Sequence, residues 1–297
     1  MRILFISSSR IGDAIISSGI VEKIRVENPG ARITVACSAL TSGVFARLPG
    51  LEQLIVFEKE RYSLHWLRLW LKLVPHFWNI VVDARGSATA LFLAAGRRKI
   101  LKGGRRPGRR YLQLAQSMGF SPAPLPVVWT AAEDEARAAD LLGEGPIIAL
   151  APTASRGEKI WPQERFAAVF HALAPLFPGA RAAVFAGPGP EEAALSAPLL
   201  AALPGALNLV GELSLPEVAA CMRHCKVFIG NDSGLMHIAA AAGTPTLGLF
   251  GCSQADEYAP AGLRTAVVLA PGPAGAASME GLSVERVIEA AKGLLCV

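Results

Sequence analysis

No stretch of 18 or more uncharged apolar residues occurs in the 297-residue chain, so nothing in it has the length to cross a bilayer as a helix. The N-terminal run Met1-Arg2-Ile3-Leu4-Phe5-Ile6 stops at Ser7-Ser8-Ser9. That is too short for the apolar centre of a signal peptide, and it reads as a first strand that stays in the cytoplasm. Cysteine is scarce: Cys37, Cys221, Cys225, Cys252 and Cys296 are an odd number without a C-x-x-C pair, which argues against a disulfide framework and against a zinc site. Also missing after the first strand is the G-x-G-x-x-G spacing that lets a backbone hug a dinucleotide pyrophosphate, which disfavours a nicotinamide or flavin enzyme. Charged residues make up only 18% against 52% hydrophobic, the balance of a globular chain.

The charge that is present is unevenly spread. Residues 1–144 hold 20 Lys and Arg against 12 Asp and Glu (+8), whereas residues 145–297 hold 9 against 12 (−3). The N-terminal half is therefore expected to meet something anionic. Arg97, Arg98, Lys99, Lys102, Arg105, Arg106, Arg109 and Arg110 crowd into 14 positions with Gly103, Gly104, Pro107 and Gly108 among them. This reads as a loop for an anionic acceptor or lipid headgroups, with no nucleic-acid motif beside it. Upstream, Trp66, Trp70, Phe77 and Trp78 mix with Arg68 and Lys72, a pattern shared by interfacial helices and by helices packed on a sheet.

Length and alternation bound the fold. A chain of this size exceeds one ordinary core, so two domains are expected, 1–144 and 145–297. Short β-branched runs at 2–7, 32–37, 53–57 and 79–84 alternate with helical patterns at about 12–27, 40–47, 62–75 and 87–96. Ser121-Pro-Ala-Pro-Leu-Pro126 breaks the alternation and reads as an inter-domain linker. A helix at about 131–142 follows, then strands from Pro146 to Ala151 and at 181–187, 206–210, 226–230 and 245–250. The class is α/β with parallel sheets.

Four loops carry the candidate chemistry. Ser7-Ser8-Ser9-Arg10-Ile11-Gly12-Asp13 leaves the first strand at its carboxyl end, where open α/β sheets bind ligands. Asp13 is either a general base there or a cap of the following helix. Asn231-Asp232-Ser233-Gly234-Leu235-Met236-His237 turns a strand into a helix whose free N–H groups and dipole suit a diphosphate, with Asp232 as N-cap or sugar ligand and His237 one turn in. Thr153, Ser155, Arg156 and Lys159 lie in the loop before Trp161-Pro162 and either neutralise a leaving diphosphate or are simply solvated. Glu191 and Glu192 open a helix after Gly187-Pro-Gly189, holding ribose hydroxyls or favouring the helix dipole.

Taken in order, R-I-G-D, K-x-W-P, G-x-x-x-E, Leu209 to Val218 (L-x-G-x-L-S-L-x-E-V), N-D-S-G-L-M-H and A-A-x-G-T-P-x-x-x-L-F-G resemble glycosyltransferase family 9, with D-[ST]-G-x-x-H before G-T-P the most specific part. The resemblance implies a GT-B fold, two Rossmann-like domains whose parallel sheets face each other across a cleft, and an inverting, metal-independent transfer of a heptose from an ADP-sugar to a lipopolysaccharide core. It implies no cofactor beyond that donor, Asp13 as base, Lys159, Ser155, Ser233 and Gly234 on the diphosphate, and Thr153 and His237 in the donor pocket. Asp232 would contact the sugar, Glu191 the ribose, and the backbone near Leu213 the adenine. Arg10, Gly12, Arg85 and Ser87, the last two in Asp83-Ala-Arg85-Gly-Ser87, would face an anionic glycolipid acceptor, with peripheral contact at the inner-membrane surface. Within the same fold a nucleotide-sugar epimerase is an alternative, and a non-catalytic nucleotide-sugar-binding protein is another. Ala154 departs from the hydroxyl residue common at that place, and the stretch 85–145 is short.

Overall fold

The computed structural model describes residues 1–58, 60–101 and 107–296. The chain divides into two compact units, Met1–Trp129 and Thr130–Val297.

In the first unit, β1 (Arg2–Ile6), β2 (Arg32–Cys37), β3 (Leu51–Val56), β4 (Trp78–Asp83) and β5 (Ala95–Ile100) form one parallel sheet in the order β3-β2-β1-β4-β5. The helices are α1 (Ile11–Glu27), α2 (Ala39–Phe45), α3 (Leu64–Leu73) and α4 (Arg110–Ser117). The central strands β1 and β2 are apolar on both faces because helices cover both sides, as parallel crossovers require. One core joins Leu4, Ile6, Ile55 and Val81 to Leu69, Leu73 and the buried Trp78. Trp66 and Trp70 pack against that core, so the tryptophans face the sheet and the packed-helix reading holds for them.

The segment 87–96, expected as a helix, is a short 3₁₀ turn at Ala88–Phe92 followed by strand β5. Pairing with β4 from Trp78↔Ala95 to Asp83↔Ile100 outweighs local propensity there, and Arg97, Arg98 and Lys99 ride on an edge strand rather than in a loop. Lys102, Arg105 and Arg106 lie outside the described residues.

The second unit holds β6 (Ile147–Ala151), β7 (Arg181–Ala186), β8 (Leu207–Val210), β9 (Cys225–Asn231), β10 (Thr246–Phe250) and β11 (Thr265–Leu269), again parallel, in the order β11-β10-β9-β6-β7-β8. Its helices are α5 (Ala132–Leu142), α6 (Gln163–Leu173), α7 (Pro190–Ala202), α8 (Leu215–Arg223), α9 (Gly234–Ala241), α10 (Ala255–Tyr258) and α11 (Val284–Leu295). Strand β11 was not foreseen. Both sheets have the doubly wound, Rossmann-like order.

The units meet at Trp129–Thr130 rather than at 144–145. Glu135 of α5 pairs with Arg223 (2.8 Å) and His224 (3.3 Å) at the end of α8, which ties this helix to the second unit. The proline-rich stretch is not a free linker either. Ser18 Oγ donates to the Val127 carbonyl (2.6 Å) and accepts from the Val127 N–H (2.9 Å), while Trp129 Nε1 donates to Glu22 (3.1 Å). Gly19 makes this crossing possible, since a Cβ there would stand 2.2 Å from the Leu125 carbonyl oxygen.

The five cysteines are all free. Burial pushes the Cys37 and Cys221 thiols up to about 11 and about 12, so neither is a thiolate at neutral pH.

Candidate active site

In the second sheet the chain reverses its winding direction between β6 and β9, so the connections leaving their carboxyl ends diverge and open a crevice. The register Ala151↔Gly230 brings the two ends level. Asn231, fully buried at the tip of β9, then ties the 152–161 loop at both ends. Its Oδ1 accepts from the Trp161 N–H (3.1 Å) and its Nδ2 donates to the Pro152 carbonyl (2.8 Å). Trp161, itself fully buried, donates through Nε1 to the Leu282 carbonyl (2.9 Å), so the loop's far end is anchored to the core.

Between these anchors, Lys159 reaches back to Asp232. Its Nζ lies 2.5 Å from Oδ2, with side chains only 17% and 8% exposed. A shielded pair of this kind is far less screened than one on the surface. Asp232 is therefore an ion-pair partner and not the helix cap. The N-cap of α9 is Ser233, in extended backbone, and its side chain makes no capping bond. The Ser233 Oγ is buried without a hydrogen-bond partner, and so is the Ser253 Oγ in the loop after the neighbouring strand β10. Together with the first-turn N–H groups of α9, this gives a cation, unsatisfied donors and the positive end of a helix on one edge.

The other expected donor residues share that edge. Thr153 is buried in the loop and Ser155 is exposed. Glu191 is exposed in the first turn of α7, while Glu192 folds back to accept from the Gly187 N–H (3.3 Å). Leu213 is half-buried just before α8, whose start is fixed by a capping box between Ser214 and Glu217. His237 is buried on α9 and already partnered, which fits a packed histidine.

The carboxyl edge of the first sheet gathers the remaining calls. Arg10 is exposed in extended backbone ahead of α1, Gly12 is half-buried, and Asp13 stands in the first turn. Asp13 is not the N-cap, and among the described residues its carboxylate has no hydrogen-bond or ion-pair partner. The adjacent strand β4, in register Ile6↔Asp83, ends in a buried carboxylate. Asp83 Oδ1 accepts from the Arg85 and Gly86 N–H groups (2.8 and 2.9 Å), and Oδ2 accepts from the Ser87 N–H and hydroxyl (both 2.7 Å). Burial pushes this carboxyl up from its usual range, against hydrogen bonds that favour its charged form. Gly86 closes the turn at φ +73°, where a Cβ would stand 2.7 Å from the Leu101 carbonyl oxygen. Ser87 is thereby spent on Asp83, while exposed Arg85 lies over the Trp66 ring at 5.0 Å.

Asn231 and Asp83 are positioning residues that sequence reasoning quoted within motifs but gave no role of their own. The signal was there for Asn231, a polar residue extending an apolar run, but ending the strand at Gly230 hid it. Among the described residues no group of three or more His, Cys, Asp and Glu side chains could hold a metal ion, and no helix is long and apolar enough to cross a membrane.

Comparison with known proteins gives a consistent result. A family model described as glycosyltransferase family 9 (heptosyltransferase) matches residues 80–284, a span that takes in Asp83–Ser87 and the whole second-sheet edge but not Arg10–Asp13. The lipopolysaccharide heptosyltransferase 2 of Salmonella typhimurium is 27% identical over 309 residues, covering 90% of this chain and 88% of its own. Among solved structures, a family 9 glycosyl transferase from Veillonella parvula superimposes with a TM-score of 0.81 at 22% identity, covering 99% of this chain and 97% of its own. The ADP-heptose lps heptosyltransferase II of E. coli gives 0.77 at 22% identity, covering 100% and 99%.

Proposed function

The chain belongs to glycosyltransferase family 9, and from that premise we propose that it moves a heptose from an ADP-sugar to a lipopolysaccharide core or related cell-envelope glycan, with inversion and without a metal. In this reading the second unit binds the donor. The carrying observation is the Lys159–Asp232 pair set beside the α9 start and the unpartnered Ser233 hydroxyl. Lys159 and the α9 N–H groups supply the positive charge for the donor diphosphate, and Asp232 exchanges its partner for hydroxyls of the transferred sugar. Glu191 takes the ribose, and the backbone near Leu213 the adenine.

Asp13 is the general base. Its carboxylate takes the proton of an acceptor hydroxyl as that oxygen bonds to the anomeric carbon, while the bond from that carbon to the diphosphate breaks and its electron pair leaves with ADP. Lys159 and the helix start stabilise the charge arriving on the departing oxygen, the step that otherwise needs a metal. Arg85, presented by the Asp83-ordered turn, and Arg10 bind an anionic group of the acceptor.

The test separates base from donor site. Incubation with ADP-heptose and truncated lipopolysaccharide cores should yield a product heavier by one heptose, and donor alone should yield none, which distinguishes transfer from epimerisation. Asp13→Ala should lose about two or more orders of magnitude in turnover with ADP affinity unchanged. Lys159→Ala should weaken ADP binding itself. Turnover persisting in the Asp13 variant would remove the base assignment.

A further inference from the structure

Among the described residues two side-chain hydroxyls are buried without a hydrogen-bond partner, those of Ser233 and Ser253, and both follow strands at the carboxyl edge of the second sheet. A buried hydroxyl left unsatisfied costs free energy, so two of them at one edge call for a polar group that arrives from outside the fold. Ser233 has its place at the start of α9, beside the donor diphosphate. Nothing in the fold uses the Ser253 hydroxyl. The loop that carries it is nonetheless held firmly beside the Lys159 turn. Leaving β10, the chain turns at Gly251, where a Cβ would stand 2.7 Å from the Ala277 carbonyl oxygen, so the 277–279 segment presses on the turn. Cys252 Sγ then donates to the Glu158 carbonyl (3.5 Å), in the same short turn as Lys159. From the β9 side, in register Leu249↔Asn231, the Asp232 N–H donates to the Leu249 carbonyl (3.2 Å). The loops 157–159, 231–233 and 251–253 therefore converge.

The order of the strands says which part of a donor reaches Ser253. In the donor reading the adenine lies by Leu213 after β8, the ribose by Glu191 after β7, and the diphosphate by Lys159 and Ser233 after β6 and β9. A nucleotide-sugar laid out in this way follows the sheet edge through β8, β7, β6 and β9, and the next strand in that direction is β10. The group that comes after the diphosphate is the transferred sugar, which is rich in hydroxyls. We propose that Ser253 hydrogen-bonds a hydroxyl of the transferred sugar and, with Asp232, selects the donor by its sugar. This rests on the reading of the second unit as the donor site. A serine suits the task because its hydroxyl both donates and accepts, and because it adds no charge beside Lys159 and Asp232. Both serine hydroxyls are shut off from solvent where Lys159 holds Asp232, and the exchange of that partner for the diphosphate is the movement that frees them.

Titration of the full chain with ADP and with ADP-heptose separates the sugar contact from the nucleotide contacts. Ser253→Ala should bind ADP as the wild type does and lose about three- to tenfold in affinity for ADP-heptose, the share of one neutral hydrogen bond. Ser233→Ala, at the diphosphate, should weaken both ligands by the same factor. Because the Ser253 hydroxyl has no partner within the protein, its alanine variant should unfold at the wild-type temperature or above it. Equal weakening of ADP and ADP-heptose in Ser253→Ala would put the residue at the diphosphate and overturn the sugar contact. Wild-type affinity of that variant for both ligands, or a lowered unfolding temperature, which marks a serine that serves the fold, overturns it as well. Wild-type protein that binds neither ADP nor ADP-heptose strikes the donor reading and this contact with it, whereas the other outcomes strike the contact alone.

Discussion

Replacing Asn231 with alanine removes no group assigned to the chemistry, yet it should damage the donor site and the fold together. The carboxamide is fully buried and satisfies two backbone groups, the Trp161 N–H at 3.1 Å and the Pro152 carbonyl at 2.8 Å. Truncation leaves both without a partner beneath the loop. An unsatisfied buried polar group costs about 1–3 kcal/mol, so the sum for the two groups is roughly 2–6 kcal/mol before any relaxation. For a unit of this size 1 kcal/mol corresponds to about 2–4 °C in midpoint, so the unfolding of the second unit should move down by several degrees at least. The functional consequence follows from the same bonds. Lys159 sits between the two tethered ends, so its ammonium should lose its fixed distance to Asp232, and ADP affinity should fall about tenfold or more even at temperatures where the variant is folded. Calorimetric unfolding and ADP titration at low temperature read the two effects separately. Asn231→Asp keeps the acceptor for Trp161 but sets an oxygen against the Pro152 carbonyl, and it should fall between wild type and alanine. Unchanged stability and ADP affinity in Asn231→Ala would refute the tether.

Gly19→Ala should destabilise the first unit by about 1–3 kcal/mol in urea unfolding, because its methyl would stand 2.2 Å from the Leu125 carbonyl oxygen and the 124–129 segment must shift; equal midpoints would refute that packing. Glu22 accepts from Arg25 and Trp129, and the Arg25 hydrogen bond leads the effects that hold its carboxyl below the usual range against burial. A depressed acid contributes stability above its unfolded value near 4.5 and loses it as pH falls through the lower folded value. The stability gap between wild type and Glu22→Gln should therefore be constant near neutrality and shrink below about pH 4. A gap that widens in acid would reverse the sign of this argument.

Several features were legible because they are local. The strands β1, β2, β4, β6, β7 and β9 fall within a residue or two of their sequence reading, since apolar β-branched runs between glycine and polar turns have few other ways to be satisfied. The candidate donor residues from Thr153 to His237 are gathered at one sheet edge because a parallel βαβ chain puts every strand-to-helix loop on the same side. Strand β5 was missed because its residues, Ala95-Gly-Arg-Arg-Lys-Ile100, have no strand pattern of their own and pair only because β4 is there. Strand β11 also lies at a sheet edge, but its Thr265-Ala-Val-Val-Leu269 run carries a strand pattern of its own that sequence reasoning overlooked.

Sequence alone determined the class of fold, two parallel sheets, and the family, because both reside in the order of short motifs along the chain. Three matters were decided only in three dimensions. The unit boundary moved to Trp129–Thr130 through the Glu135 contacts with α8. Asp232 became the partner of Lys159, 73 residues away, instead of a helix cap. The leucines of α3 divided into a buried set and an exposed set. Each depends on which distant group occupies the space beside a side chain, and that is fixed by packing, which no local pattern encodes.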